Sequence, residues 1–357
     1  WGPWMNTKST ATRGRALRSG RRGGRIRVAL AALVVTAASA CGSGNAAVGE
    51  GETVLVSVSI AAPSAGPVYL ANALGYFKDE GLNVQVKEIA NASLQIATGQ
   101  VQYGLVNTST LMQSASKNIG LQGICVTQID PSYILAVSDT VWKKRGLTDS
   151  MTLKEKLAAL KGEQITAVGG STTNPGAKLL QALLQKNGLP ADTIGVLSMT
   201  SSSAATASFK NGQVGVIFQP QPQPDQVLSL VHGKILYNTG NSPLFAEMDN
   251  VPWSTFATSA KFAQANPDMT AKMCTAIGKA NDYLDKNPVQ AAEQLKSSMP
   301  TDLKILKDSM PTYKWAPAGK MSEADFARGV EVLSSMGMFA KVSPEQVKAS
   351  YTTTHQK

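Results

Sequence analysis

Gly99-Gln100-Val101 ends one helical stretch and runs into the apolar segment 103–106; Gly212-Gln213-Val214 ends another and runs into 214–218. A three-residue echo is weak alone, but the segments around it repeat as well. Upstream of the first phrase, 54–60 and 84–89 are rich in Val and predict strands. Between them a helix is predicted from about Val68, with Leu70, Leu74 and Phe77 on one face and Gly81 where a C-terminal glycine would stop it. A short helix over 92–98 and a strand over 103–106 complete a β-α-β-α-β series. The series returns as strand 164–168, helix 175–186, strand 194–198, helix 203–210 and strand 214–218, with corresponding starts 107 to 111 residues apart. Five elements in constant register indicate a duplicated unit.

Two such units imply an α/β fold of two facing lobes, each a mostly parallel sheet with right-handed crossovers and helices on its faces. At 357 residues the chain exceeds the usual size of one domain, so two separate cores are expected. Ligands of such sheets bind beyond the carboxyl ends of the strands, which here places the site in the cleft between lobes. Segments 133–138 and 235–256 flank the second unit and are the candidate crossings. After Ser259, helices are predicted over 260–265, 267–285, 288–297, 303–310 and 323–336, with Leu, Met and Ala at helical spacing, and are expected to pack on the first lobe. The expected organisation is therefore 52–132 for the first part of lobe 1, 133–239 for lobe 2 with its crossing, and 240–357 for the return crossing and the rest of lobe 1.

The formal net charge of +10 is concentrated at one end. Residues 1–40 carry eight of the 34 Lys and Arg residues and no acid, so 26 basic residues face 24 acidic ones beyond position 40. Only Arg145 and Arg328 remain there as arginines, and no basic stripe for nucleic acid is present in the sequence. The Arg-rich stretch to Arg27, the apolar run 28–40 and Ala38-Ser39-Ala40 form an export signal over 1–40, with Met5 as its expected start. The apolar run is shorter than the roughly 20 residues needed to cross a bilayer. Cys41 directly after small residues resembles the lipobox of bacterial lipoproteins, which implies acylation of Cys41 and a protein held at the outer face of the cytoplasmic membrane. Ala38 departs from that pattern, where Leu is usual. Arg21-Arg22 leaves the twin-arginine and general export routes both open. Residues 41–51 are small, polar and Gly-rich, as a flexible tether would be. Cys125 and Cys274 fit a disulfide or two buried free thiols.

Tyr69-Leu70-Ala71-Asn72-Ala73-Leu74-Gly75-Tyr76-Phe77-Lys78-Asp79-Glu80-Gly81-Leu82-Asn83-Val84 resembles the opening helix and second strand of the nitrate/sulfonate/taurine and thiamine-pyrimidine binding family. Gly99-Gln100-Val101-Gln102-Tyr103-Gly104 and the 169–176 loop fit the same family, and the resemblance covers about residues 52–300. It implies a type II periplasmic-binding fold, a small-molecule ligand, and the permease and ATPase of an ABC importer as partners. Gln102 and Gly215 stand where that family commonly has Asp, and Gln219-Pro220 where many members have Glu-Pro. The loss of that glutamate counts against a cationic ligand.

Four loops at strand ends are candidate ligand contacts. Ser64 lies in a small-residue loop before the first helix, where main-chain N–H groups can approach a ligand. Asn107 and Thr108 stand at a helix start, where either ligand contact or plain N-capping fits. Ser171, Thr172, Thr173 and Asn174 follow two glycines and precede Pro175, a helix N-terminus suited to an anion. Ser201 occupies the equivalent place after the next strand. Gln219 ends a strand, Trp253 near the return crossing offers either an aromatic wall or core packing, and Gln128 and Tyr133 lie near the first crossing.

These groups supply hydroxyls, amides and little fixed charge, which suits a sulfonate or carboxylate, or a neutral pyrimidine-like ring. Catalysis on the same scaffold would need a reactive Cys with a neighbouring base, and the chain has only His232 and His355. The sequence offers no metal-ligand cluster at recognisable spacing. The expected protein is a monomeric binding protein without a cofactor, working by hinge closure; a ligand-sensing lipoprotein is the alternative.

Overall fold

Alternating Val54, Val56 and Val58 bury one face of β1 (Thr53–Val58) completely. β2 (Asn83–Glu88) pairs with it in parallel along its whole length, and β3 (Tyr103–Asn107) pairs in parallel on the other side at Val56↔Tyr103. Next to β3 lies β10 (Pro252–Ser259), antiparallel to both β3 and β4 (Leu121–Ile129), and β11 (Lys314–Trp315) closes the far edge. The order is β11-β4-β10-β3-β1-β2. The computed structural model describes residues 46–49, 51–90, 92–168, 174–199, 201–241 and 248–356.

The second half repeats this plan. β5 (Tyr133–Ser138) lies antiparallel between β8 (Val216–Pro220) and β9 (Gly233–Asn238), while β6 (Gln164–Val168) and β7 (Gly195–Met199) pair in parallel. β6 packs beside β8, where Gln219 Nε2 donates to Thr166 O at 3.0 Å. Thus β7-β6-β8-β5-β9 mirrors β2-β1-β3-β10-β4. Each lobe takes its antiparallel strand from chain that has just arrived from the other lobe. The expected crossing 133–138 is itself β5, buried along its length, and the outward crossing is confined to Asp130, Pro131 and Ser132.

Nine of the ten repeated elements fall within about two residues of expectation because their stops are chemical; the first helix is instead broken at Leu74-Gly75, where Gly75 adopts φ +79°, into Gly66–Ala73 and Tyr76–Asp79. Gly81 and Gly188 adopt φ +73° and +70°, the left-handed conformation that ends a helix cheaply only at glycine. Asn174 Oδ1 accepts from Ala177 N at 3.1 Å and caps Pro175–Lys186. Among the described residues, four short helices escaped the periodicity reading: Asp139–Lys144, Leu153–Ala159, Gln223–Leu228 and Pro344–Ser350. Two of them begin with reciprocal capping boxes, Thr152/Glu155 and Ser343/Gln346, a signal present in the sequence.

Instead of two separate cores, one apolar cluster runs from the first lobe through Val106, Ile129, Tyr133 and Trp253 into Leu179 and Phe218 of the second. The Tyr133 and Trp253 rings meet edge to face at 5.9 Å inside it. The opposite face of the six-stranded sheet has its own cluster, under helices Gly66–Ala73 and Pro267–Lys286. As expected, the helical tail packs on this lobe: Asn281 Nδ2 donates to the carbonyls of Val126, Thr127 and Ala316 at 3.2, 3.0 and 2.9 Å. The end of the expected tether is also held there. Val48 N donates to Asn266 Oδ1 at 2.8 Å, and Asn266 Nδ2 to Ala46 O at 3.2 Å.

Candidate functional site

Beyond the carboxyl ends of β1, β2 and β3 lies a cavity of about 210 Å³. Its polar groups are Ser59, Ser64, Ser93, Asn107, Thr110 and Ser254, and its walls include Ile60, Ile89 and Leu105. No charged side chain lines it among the described residues. Two helices begin at its edge, Gly66–Ala73 after a 3-10 turn at Pro63–Ala65, and Thr108–Ser116, so main-chain N–H groups and two positive helix ends lie there.

Asn107 is the informative residue. It occupies the N-cap position of Thr108–Ser116, yet its side chain makes no capping bond and is exposed at the cavity. Its Oδ1 instead accepts from Ser254 Oγ at 3.3 Å across the β3–β10 pairing, which sets these two residues opposite each other. The Asn107 amide N–H₂ is thus left on the cavity side of that bond as a donor. Ser64 lies half-buried in the same lining.

Other candidates have internal partners. Thr108 is fully buried and shares a 2.9 Å hydrogen bond with Thr255, so the helix start turns its hydroxyl into the core. Gln128 is buried, with Nε2 on Asp130 O at 2.9 Å. Trp253 alternates with Ser254 along β10 and faces the inter-lobe core; Tyr133 joins it there. On the second lobe, Asn174 and Ser201 cap their helices, Ser201 Oγ accepting from Ala204 N at 3.1 Å. Gln219 is half-buried and spends an N–H on Thr166 O. Cys41, Ser171, Thr172 and Thr173 lie outside the described residues.

Sequence reasoning did not single out Ser59, Ser93 or Ser254. Ser254 reaches the cavity only through the register Ser254↔Asn107, a pairing across 147 residues that no local pattern encodes. A larger cavity of about 670 Å³ lies between helices Glu323–Ser335 and Pro344–Ser350, walled by Phe326, Val330, Val342 and Tyr351. It is away from the strand ends, so volume alone does not select the site.

A family model described as "NMT1/THI5 like" matches residues 62–291, more than half of the chain. The chain belongs to the NMT1/THI5-like family. Among relatives of this NMT1/THI5-like protein, one from Bacillus subtilis strain 168, YtlA, named as a binding protein, is 22% identical over 78% of this chain and 81% of its own. The 4-amino-5-hydroxymethyl-2-methylpyrimidine phosphate synthase of Candida albicans is 27% identical over 69% and 72%. The Brucella binding proteins are 23% identical, and the chain spans 64% of their length. Two solved structures share the fold. The nitrate-binding protein NrtA of Synechocystis has a TM-score of 0.66 at 14% identity, covering 85% of this chain and 86% of its own. The alkanesulfonate-binding protein SsuA of Xanthomonas axonopodis, bound to MOPS, has 0.63 at 14%, covering 85% and 99%. The NMT1/THI5-like chain thus has the two-lobed periplasmic-binding fold that the duplication implied.

Proposed function

We propose that this chain is an extracytoplasmic solute-binding protein that captures a small organic molecule between its lobes, a sulfonate or carboxylate first, and delivers it to the permease and ATPase of an ABC importer. The strand-end cavity with Asn107 and Ser254 carries this reading. Serine and threonine hydroxyls, a free amide and two helix starts can hold an anion without a fixed positive charge. The domain plan fits it: 52–132 and 240–357 as one jaw, 133–239 as the other, and an acyl chain on Cys41 as the anchor. Ligand bridging both jaws would add contacts that only the closed form makes, shifting the population toward closure.

A neutral pyrimidine-like ring is the second reading, supported by the uncharged lining and by the Candida relative. An enzymatic role is disfavoured. Cys125 and Cys274 are buried in the first-lobe core, and burial pushes the Cys274 thiol up, away from the thiolate a nucleophile needs. Neither histidine lines the strand-end cavity.

A thermal-shift panel of sulfonates, aromatic carboxylates, nitrate and pyrimidines tests the proposal. A binder present at 100 times its dissociation constant adds about 2.7 kcal/mol and raises the melting temperature. Stabilisation by an organic anion supports the first reading and by a pyrimidine the second. A panel in which nothing shifts melting or titrates calorimetrically overturns both.

A further inference from the structure

Helix Pro267–Lys286 approaches β4 closely enough for its side chains to bond the strand's main chain. Cys274 Sγ donates to Ile124 O at 3.2 Å, and Asn281, two turns later, reaches Val126 O and Thr127 O. Gly278 lies between them on the same face, and a Cβ there would overlap the main chain of Ala318, which occupies the space a side chain would need. At Gly278 the helix thus closes on the Pro317–Gly319 turn, whose Gly319 lies against both Gly278 and Cys125. Cys274 Sγ thus lies beside Cys125, the residue after Ile124, and both cysteines are buried in one apolar cluster with Tyr103 and Phe256.

We infer that Cys125 and Cys274 are a disulfide-forming pair which, in the exported protein, staples the Pro267–Lys286 helix to β4. The oxidant is a disulfide, either a small one such as oxidised glutathione or that of a thiol–disulfide oxidoreductase. One protein thiolate attacks it, forming a mixed disulfide and releasing the first oxidant thiol. The second protein thiolate then attacks the mixed disulfide and releases the other. Two thiol protons and two electrons leave the protein, one S–S bond is broken and one is made.

The timing follows from burial. Once the first lobe has closed, both thiols are sealed from solvent, and the buried Cys274 thiol resists ionisation. Exchange therefore takes place while the chain folds. The bond closes a loop that contains the whole second lobe and the return crossing, so it constrains the unfolded chain over a long span.

The inference rests on the proposed export only for the oxidant, and the test separates the two. The full chain is unfolded, reduced, and refolded with reduced and oxidised glutathione, then denatured and treated with iodoacetamide. The expected product takes up iodoacetamide at Cys41 alone, is otherwise lighter than the reduced chain by two hydrogens, and yields one peptide pair linking Cys125 to Cys274. Reduction should lower its melting temperature, while the Cys125→Ser/Cys274→Ser double variant melts identically with and without reductant. Quantitative alkylation of both cysteines, or glutathione adducts in place of the internal bond, overturns the inference whatever ligand the protein binds. The same mass measurement on protein taken from an oxidising compartment reports separately on export.

Discussion

Lys314 Nζ lies 3.0 Å from Asp130 Oδ2, pinning the three-residue outward crossing to β11 at the edge of the first lobe. Asp130 holds the return crossing too. Its N–H donates to Val251 O at 2.9 Å, and its Oδ1 accepts from Val251 N at 3.1 Å. Burial raises the Asp130 carboxyl above the ordinary carboxylate range, with Lys314 and the Val251 N–H pulling it partly back. One aspartate therefore ties the outward crossing to the return crossing.

Asp130 adopts φ +59°, where Asn is tolerated and Ala is strained. Asp130→Ala, losing the bond to Val251 and meeting that strain, is expected to cost about 2–3 kcal/mol in urea denaturation. Asp130→Asn keeps the backbone preference and an acceptor oxygen, and is expected to cost about 1 kcal/mol or less, because Lys314 is half-exposed and readily hydrated. Equal losses would show that neither the backbone nor the Val251 bond matters.

Asn107→Ala removes the exposed amide from the strand-end cavity, and Ser254→Ala removes the hydroxyl that orients it. Each is expected to weaken ligand binding about tenfold, the worth of roughly 1.4 kcal/mol, with little effect on unfolding. Titration calorimetry with the ligand from the screening panel measures it; unchanged affinity in both variants would move the site elsewhere.

His355 is buried in the C-terminal segment, and burial lowers its pKa below the ordinary imidazole value, opposed by a hydrogen bond to the Pro267 main chain. The native state then binds fewer protons than the unfolded chain. This contribution to stability is complete above about pH 6.5 and is lost as pH falls from there through the lowered folded value. Melting curves across that window should show His355→Gln losing less stability on acidification than the parent protein.

Gly215 is buried where the family resemblance expected an acid. A Cβ there would overlap Val141 Cγ2 and lie 2.9 Å from Ser138 Oγ. Gly215→Asp adds a buried charge to that overlap and is expected to cost about 3 kcal/mol or more. Wild-type solubility and melting in this variant would refute the packing account.

The duplication was legible because each repeat is bounded by residues with local meaning: Pro175 at a helix start, Gly81 and Gly188 at helix ends, Val54, Val56 and Val58 on one strand face. Ser64 and Asn107, which line the cavity, were readable for the same reason, since strand-end loops follow from strand order. Two features were not. Whether Thr108 or its neighbour Asn107 faces outward depends on the rotation of one helix start, settled by Thr255 on a strand far along the chain. The joined core has the same origin, because Tyr133 and Trp253 each read as site residues until their packing against one another is seen.

The strand exchange also dictates an order of assembly. Residues 133–238 contain every strand of the second lobe, so that lobe can form as soon as this stretch emerges. The first lobe cannot, because β10 sits between β3 and β4, and until residues 252–259 arrive both strands present bare edges. Those unpaired edges make the interval between the emergence of Ile129 and of Ser259 the period of greatest aggregation hazard for the nascent chain, and the one in which a holding chaperone would matter most.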